Sequence, residues 1–434
     1  MRSALVLATV LAACALFGVV AVGCLGKPQF ECGATGDCLQ AGVQGVCQPD
    51  RFCSFPDSSC DSGQRYGDLS GPLANQCVGV PIDAPPDAFV VDMYVHDARE
   101  CFGGSGAYQL CFGMMPPMGN VMLAGTLNTD TDARCMTPPS SWAAANQPDA
   151  CMILGKTVTI ATIAVTGTKP LIILGDTIAV NGTLDVASHR GGTLGPGAPF
   201  GTCPAYPSAP ANNVTGAGGG AGASFMRIGG SGGSGNGGAA TPGTPFAALG
   251  ASPTVLRAGC DGQLGGAAGV AVAGAPGRGG GAVFLTASKI TFSTTGVINA
   301  SGSGAVAAGN LTGGSGGGSG GMIVLHATES ITAMAGAKLM SNGGGAASGA
   351  SNAAVGDFGD DPSVSTPTTP AAGGDANNAG LGGAGFAGAT NAGTGQSAGG
   401  NRDTGGGGGG GGGFIQSNLM ISNITASPGV TVIP

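Results

Sequence analysis

The residues able to do chemistry are few. His96, His189 and His326 are the whole supply of imidazole, and their spacing suits neither a metal cage nor a nucleophilic triad. Asp185 precedes Ser188-His189-Arg190, so a carboxylate, an imidazole and a guanidinium fall close together. Asp185, His189 and Arg190 are the weak surface-site candidates, set against a plain structural turn. His326 sits mid-strand and reads as a surface or corner residue. Gly356-Asp357-Phe358-Gly359-Asp360-Asp361 occurs once, whereas a calcium-binding nonapeptide array needs recurring aspartates. The glycine runs contain no Gly-x-x-x-x-Gly-Lys-Ser/Thr phosphate loop, and the Gly-x-Gly-x-x-Gly matches follow from composition alone. A polysaccharide lyase or hydrolase needs clustered charge along a groove to stabilise charge developing on a sugar. Asp176, Asp185, Lys289, Glu329 and Lys338 are scattered candidates for that. No catalytic residue, metal site or cofactor is expected.

The cysteines carry more information. Met1-Arg2 followed by an apolar run from Ser3 to Gly23 reads as an export signal. Ala21-Val22-Gly23-Cys24 resembles a bacterial lipobox, in which Cys24 is acylated and becomes the first residue; Leu11-Ala12-Ala13-Cys14 is the competing site. Parity favours Cys24. Of 14 cysteines, losing Cys14 and acylating Cys24 leaves an even number to pair. Leu25 follows, and by resemblance to Gram-negative lipoprotein sorting the absence of Asp there is compatible with the outer membrane. Residues 1–23 are thus expected to be a lipoprotein signal peptide.

Cys32, Cys38, Cys47, Cys53, Cys60 and Cys77 crowd into residues 24–79, with little apolar material between them. In an exported chain this reads as a disulfide-rich module, with pairing undetermined among fifteen possibilities. Zinc is the weaker reading, because the cysteine spacings miss Cys-x2-4-Cys and no histidine is near. Residues 80–99 are an acidic, proline-rich linker. Asp92, His96 and Asp97 fit a solvated spacer better than a metal site. Residues 100–152 carry Cys101, Cys111, Cys135 and Cys151 and read as a β cap with two possible disulfides. Stacked repeats need such an atypical end.

The elements that must position everything begin at residue 153. Thr157 to Val165 alternates at period two and is rich in β-branched residues. Leu171-Ile172-Ile173-Leu174 and Thr177-Ile178-Ala179-Val180 follow, then Asn181-Gly182, then Thr183-Leu184-Asp185-Val186. Asn-Gly usually announces a hairpin; here it is read as the corner between two faces of one coil. A repeat is audible from Ala282 onward: Leu285 to Leu325 and Gly296 to Gly336 are both 40 residues apart. A fixed period of that size marks a stacked architecture. Two long glycine tracts interrupt the coils, Gly191 to about Gly281 and Gly343 to Gly413; Cys203 and Cys260 lie within the first. Coils sit about 4.8 Å apart, so loops leaving at one corner crowd together, and glycine avoids the clash. Such loops either pack as parallel extended glycine helices or stay mobile.

Composition excludes several classes. Glycine, at 89 residues, rules out a helical globule, and the lack of a strict Gly-X-Y period rules out collagen. An apolar fraction of 42% leaves order possible. The net charge of −8 argues against nucleic acid as a partner.

Phe52-Cys53-Ser54-Phe55-Pro56-Asp57 and Ser62-Gly63-Gln64-Arg65-Tyr66-Gly67 resemble a cysteine module of myxobacterial surface lipoproteins. Gln147-Pro148-Asp149-Ala150-Cys151, Val165 to Leu171 and Asp185 to Gly192 resemble the opening of the glycine-rich β-helix domain in the same proteins, sometimes labelled PE-PGRS-like. The chain lacks the N-terminal Pro-Glu domain of the mycobacterial proteins so labelled. The resemblance implies no catalytic residues. The expected fold is all-β: a right-handed parallel β-helix or solenoid over 153–434 with long glycine-rich loops, preceded by a small disulfide-rich module. The expected function is a lipid-anchored surface protein of the outer membrane with a structural or adhesive role. It would touch the membrane through its anchor, and extracellular glycan or other surface proteins beyond it. A carbohydrate-active β-helix enzyme is the alternative.

Overall fold

The structure is a computed structural model that describes residues 30–78 and 100–433, apart from 61, 105, 117, 200, 202, 269, 270, 308 and 376–378. Cys14, Cys24 and the residues Asp92, His96 and Asp97 lie outside the described residues. The chain divides into two compact units, Met1–Val95 and His96–Pro434.

In the first unit, β1 (Leu39–Gln40) pairs antiparallel with β2 (Val43–Gln44). A second small sheet joins β3 (Val46–Cys47), β4 (Cys53–Pro56) and β5 (Gln64–Tyr66). The bonds Cys32–Cys47, Cys38–Cys53 and Cys60–Cys77 hold it. Its buried cluster is Cys32, Cys38 and Cys53, with Cys47 and Phe55 against them, so the cysteines are themselves the core.

The second unit opens with a hairpin, β6 (Glu100–Phe102) against β7 (Leu110–Phe112), bridged by Cys101–Cys111. Then come β8 (Val121–Asn128), the short helix α1 (Ser140–Ala144), β9 (Cys151–Thr166), β10 (Leu171–Val180) and β11 (Thr183–Asp185). They are followed by β12 (Ala282–Phe292), β13 (Val297–Asn299), β14 (Met322–Ala333) and β15 (Lys338–Met340). β16 (Phe414–Ser417), β17 (Thr425–Ser427) and β18 (Thr431–Val432) complete the chain. Among the described residues helix is almost absent. The strands from β8 onward form one 11-stranded sheet, parallel at every pairing and curved into a half-barrel.

Its register explains the sequence pattern. β10 and β11 do not pair with each other; both lie parallel to β9, so Asn181-Gly182 is a corner and not a hairpin turn. Like residues stack: Ile153, Ile173, Leu285 and Leu325 are successive partners. Inward residues of every rung meet in one core, including Ile160, Ile163, Ile178, Leu184, Ile290, Ile298, Ile331 and Leu339. Each rung begins with a run buried on both faces, such as Leu171-Ile172-Ile173-Leu174, because its outer face is also covered. Trp142 of α1 stacks on Phe284, with centroids 6.2 Å apart and planes 10° apart, and Leu110, Phe112, Phe225 and Leu256 complete this second core. Further along each rung the outer face is open, and the pattern becomes Thr177-Ile178-Ala179-Val180.

β8 pairs parallel with β9, and Cys135–Cys151 ties residue 135 to the first residue of β9, so residues 100–152 lie in the same compact unit as the coils. Two details differ from the sequence reading. The 40-residue spacing holds from Ala282 to Ala287; a bulge before Lys289 then adds one residue, so Val297 pairs with Lys338. The glycine loops are also three, not two, since 300–321 joins the others.

These loops form a bundle held by backbone hydrogen bonds. The tract 404–413 runs through its middle. Gly405, Gly408 and Gly411 N–H donate to the carbonyls of Ala217, Gly220 and Ala223 at 3.0, 2.9 and 2.7 Å. Gly406 and Gly409 donate to Gln396 and Gly393, and Gly407, Gly410 and Gly413 to Ala347, Gly344 and Ser341. In return, Gly314, Gly317 and Gly320 donate to the carbonyls of Gly405, Gly408 and Gly411. Gly230 and Gly233 donate to Gly409 and Gly406, and Gly380, Gly383 and Phe386 to Thr404, Gly407 and Gly410. Each neighbour is met every third residue, the repeat of an extended polyproline II turn. Six neighbours surround one strand, three parallel and three antiparallel, so the arrangement is mixed and not purely parallel.

Candidate functional site

The groups singled out in the sequence converge at the end of β11. Asp185 is the last residue of β11, and the chain turns there because its carboxylate accepts the Ala187 N–H at 3.2 Å. His189 Nε2 then comes back to Asp185 Oδ2 at 2.9 Å. On the other side, His189 Nδ1 lies 3.6 Å from Asp361 Oδ2. Asp361 arrives from a different glycine loop and is pinned there by the backbone N–H groups of Gly304 (2.7 Å) and Arg190 (3.0 Å). Arg190 lays its guanidinium over the Phe358 ring, 3.6 Å from the centroid, donates to the Gly359 carbonyl and faces Asp360 at 3.6 Å. The lone aspartate cluster and the His189 group are therefore one constellation. Nothing in the sequence marks this pairing, which joins positions 171 residues apart.

The electrostatics follow from the geometry. Hydrogen bonds to Asp185 and then to Asp361 raise the His189 pKa to about 10, against the opposing effect of burial. For Asp361, burial favours the neutral acid, but the hydrogen bonds from His189, Gly304 and Arg190 outweigh it and hold the carboxyl below its ordinary range. The result is an imidazolium between two carboxylates. A general acid or base has to exchange its proton near the working pH, and this histidine stays charged through neutrality.

The other candidates do not join it. Lys289 pairs with Glu329 at 3.2 Å on the open face, and Lys338 Nζ donates to the Val364 carbonyl. Asp176 is half-buried on β10. His326 is half-buried on β14, and burial pushes its pKa down. Its Nδ1 is enclosed without a hydrogen-bond partner among the described residues, beside a cavity of about 110 Å³ lined by Gly104, Tyr108, Gln416 and Asn418. Cys203 and Cys260 are bonded to each other inside the first glycine loop. The sulfurs of Cys32, Cys38 and Cys47 lie close together, but each is committed to a disulfide.

Two surface features were not legible as sites. One is a groove of about 380 Å³ lined by Asn128, Thr166, Gly167, Thr168, Gly192, Thr193, Leu194 and Ala198. The other is the open face of the rungs, where in-register pairing stacks Thr159, Ala179, Thr291 and Thr332 in one column and Thr157, Thr177, Lys289 and Ser330 in the next. No helix among the described residues is long and apolar enough to cross a membrane. No family model, curated protein or solved structure matches the chain.

Proposed function

We propose that the chain is a cell-surface lipoprotein of the outer membrane, acylated at Cys24 after removal of residues 1–23, with a structural or adhesive role. In this reading the module 24–79 and the spacer 80–99 carry a right-handed parallel β-helix, whose surface meets extracellular glycan or another surface protein. The observation that supports it is the chemistry of the open face, where threonine, serine and alanine stack and Lys289 is neutralised by Glu329; a separate groove is lined by Asn128, Thr166, Thr168 and Thr193. Hydroxyl and amide groups of this kind suit a neutral, repetitive partner better than a charged one.

The carbohydrate-active alternative draws on the Asp185–His189–Asp361 grouping. It is disfavoured because every charged member is held by another and the histidine does not titrate near neutrality.

The test is expression of the full chain in a Gram-negative host fed labelled palmitate, followed by protease treatment of whole cells and glycan-array binding by the detergent-extracted protein. Label lost in Cys24→Ala, surface accessibility and glycan binding are expected. A chain that takes up no label would remove the anchor from the proposal.

A further inference from the structure

Among the described residues, the Cys203–Cys260 disulfide has a buried guanidinium within hydrogen-bond distance of both sulfurs. Arg257, itself only 9% exposed, places Nη2 at 3.3 Å from Cys260 Sγ and 3.5 Å from Cys203 Sγ. The guanidinium is held there between this disulfide and the Phe225 ring, 5.0 Å from its centroid, with Nε toward the Ala258 carbonyl. Burial lowers its pKa to about 10, so it remains a cation at neutral pH. The two half-cystines differ in exposure: Cys203 is half-buried, whereas Cys260 is 1% exposed.

We propose that Cys203–Cys260 is a thiol-exchange site that takes a small thiol as a mixed disulfide on Cys203. The deprotonated thiol attacks Cys203 Sγ, a new S–S bond forms there, and the Cys203–Cys260 bond breaks. The electron pair leaves on Cys260 Sγ as a thiolate beside Arg257. One S–S bond forms and one breaks, and the attacking thiol's proton goes to solvent. Exchange is fastest when the departing sulfur is stabilised as a thiolate, and a neighbouring guanidinium does that. Cys260 is also tied into the glycine bundle. The Cys260 N–H donates to Ser319 Oγ at 2.8 Å and its carbonyl accepts the Ser319 N–H at 3.0 Å, the end of a ladder that continues through Gln263 and Gly266.

The test treats the oxidised full chain with glutathione, quenches by alkylation and maps each cysteine by peptide mass spectrometry at pH 6 and pH 8. Glutathione on Cys203, with the alkyl group on Cys260, is expected. Between pH 8 and pH 6 an ordinary thiol loses about a hundredfold in thiolate. Cys260 should lose at least about tenfold less than Cys151 does after full reduction, a comparison of ratios from which access cancels. Arg257→Met should bring Cys260 into line with Cys151, while Arg257→Lys keeps the difference. Should Arg257→Met fail to fold, the wild-type ratios still decide. Glutathione on Cys260, or equal pH ratios for Cys260 and Cys151, would overturn the proposal.

Discussion

His189 has a carboxylate on each side and a guanidinium one residue away, so its charge is set by contact and not by solvent. The sign of the resulting pH dependence can be worked out. Its pKa is raised on folding from the ordinary 6.5 to about 10. It therefore contributes stability that is fully present below 6.5 and is lost as pH rises through about 10. Asp361 acts in the opposite sense: held low on folding, it contributes above the ordinary 3.8 and fails as pH falls through its depressed value. The clamp is thus strongest between those two ordinary values. Asp361→Asn keeps the shape and removes the charge; allowing for a half-exposed histidine, it should cost about 1–2 kcal/mol in urea unfolding at pH 5.5. Proton NMR of the His189 ring should show no titration until well above pH 8 in the wild type, and titration moved toward neutrality in Asp361→Asn. A wild-type histidine titrating near 6.5 would mean the two loops do not meet as described.

At the scale of elements, side chains decide how much the sequence can say. The strands were legible because alternation and β-branching record which face is buried, and Asn181-Gly182 read as a corner because rungs continued on both sides of it. The slip at Lys289 was not legible, since one bulged residue leaves the apolar pattern intact. The glycine bundle was only half legible. Crowding at the loop corner can be inferred, but glycine has no side chain to name its partner, so neither the six-neighbour packing nor the contribution of 300–321 is written in any local pattern. The same packing explains the unbroken run Gly405–Gly413. In the 405–413 strand each Cβ direction meets a neighbouring strand, whereas the buried Ser315 and Ser319 of 312–320 find room for a hydroxyl. A Cβ at Gly409 would overlap the Ala384 carbonyl, while one at Gly399 would meet nothing. Gly409→Ala is therefore expected to destabilise the second unit by about 2–4 kcal/mol, as backbone overlap in a closed site does. Gly399→Ala should stabilise it slightly, by about 0.4–1 kcal/mol, through the unfolded chain. Thermal melts of the two variants with opposite signs would support the bundle, and equal melts would count against it. Hydrogen exchange gives a second reading, because the amides of Gly405 to Gly411, themselves buried, all donate to backbone carbonyls and should be protected alongside β9 to β14.

Across the whole molecule the two units rest on different forces, and reduction should separate them. Residues 30–78 are too few to bury much apolar surface, and what they do bury is largely half-cystine. Their three bonds span 15, 15 and 17 residues. By the chain-entropy model each is worth about 3 kcal/mol, so together they match or exceed the whole stability of a small domain. In the second unit the disulfides Cys101–Cys111, Cys135–Cys151 and Cys203–Cys260 sit at the hairpin, the first rung and one glycine loop. The sheet between them is filled by isoleucine, valine and leucine stacked rung on rung. Such a core does not need a cross-link, because each buried aliphatic side chain contributes about 1.5–3 kcal/mol by itself. Full reduction followed by hydrogen exchange should then show residues 30–78 exchanging at once and β9 to β14 still protected. Between these extremes, the residues next to Cys203 should lose protection, since the bond just cut is what ties them to Cys260. Protection persisting in residues 30–78 would contradict a cysteine-held module. Simultaneous loss from β9 to β14 would mean that the aliphatic core cannot stand without its staples.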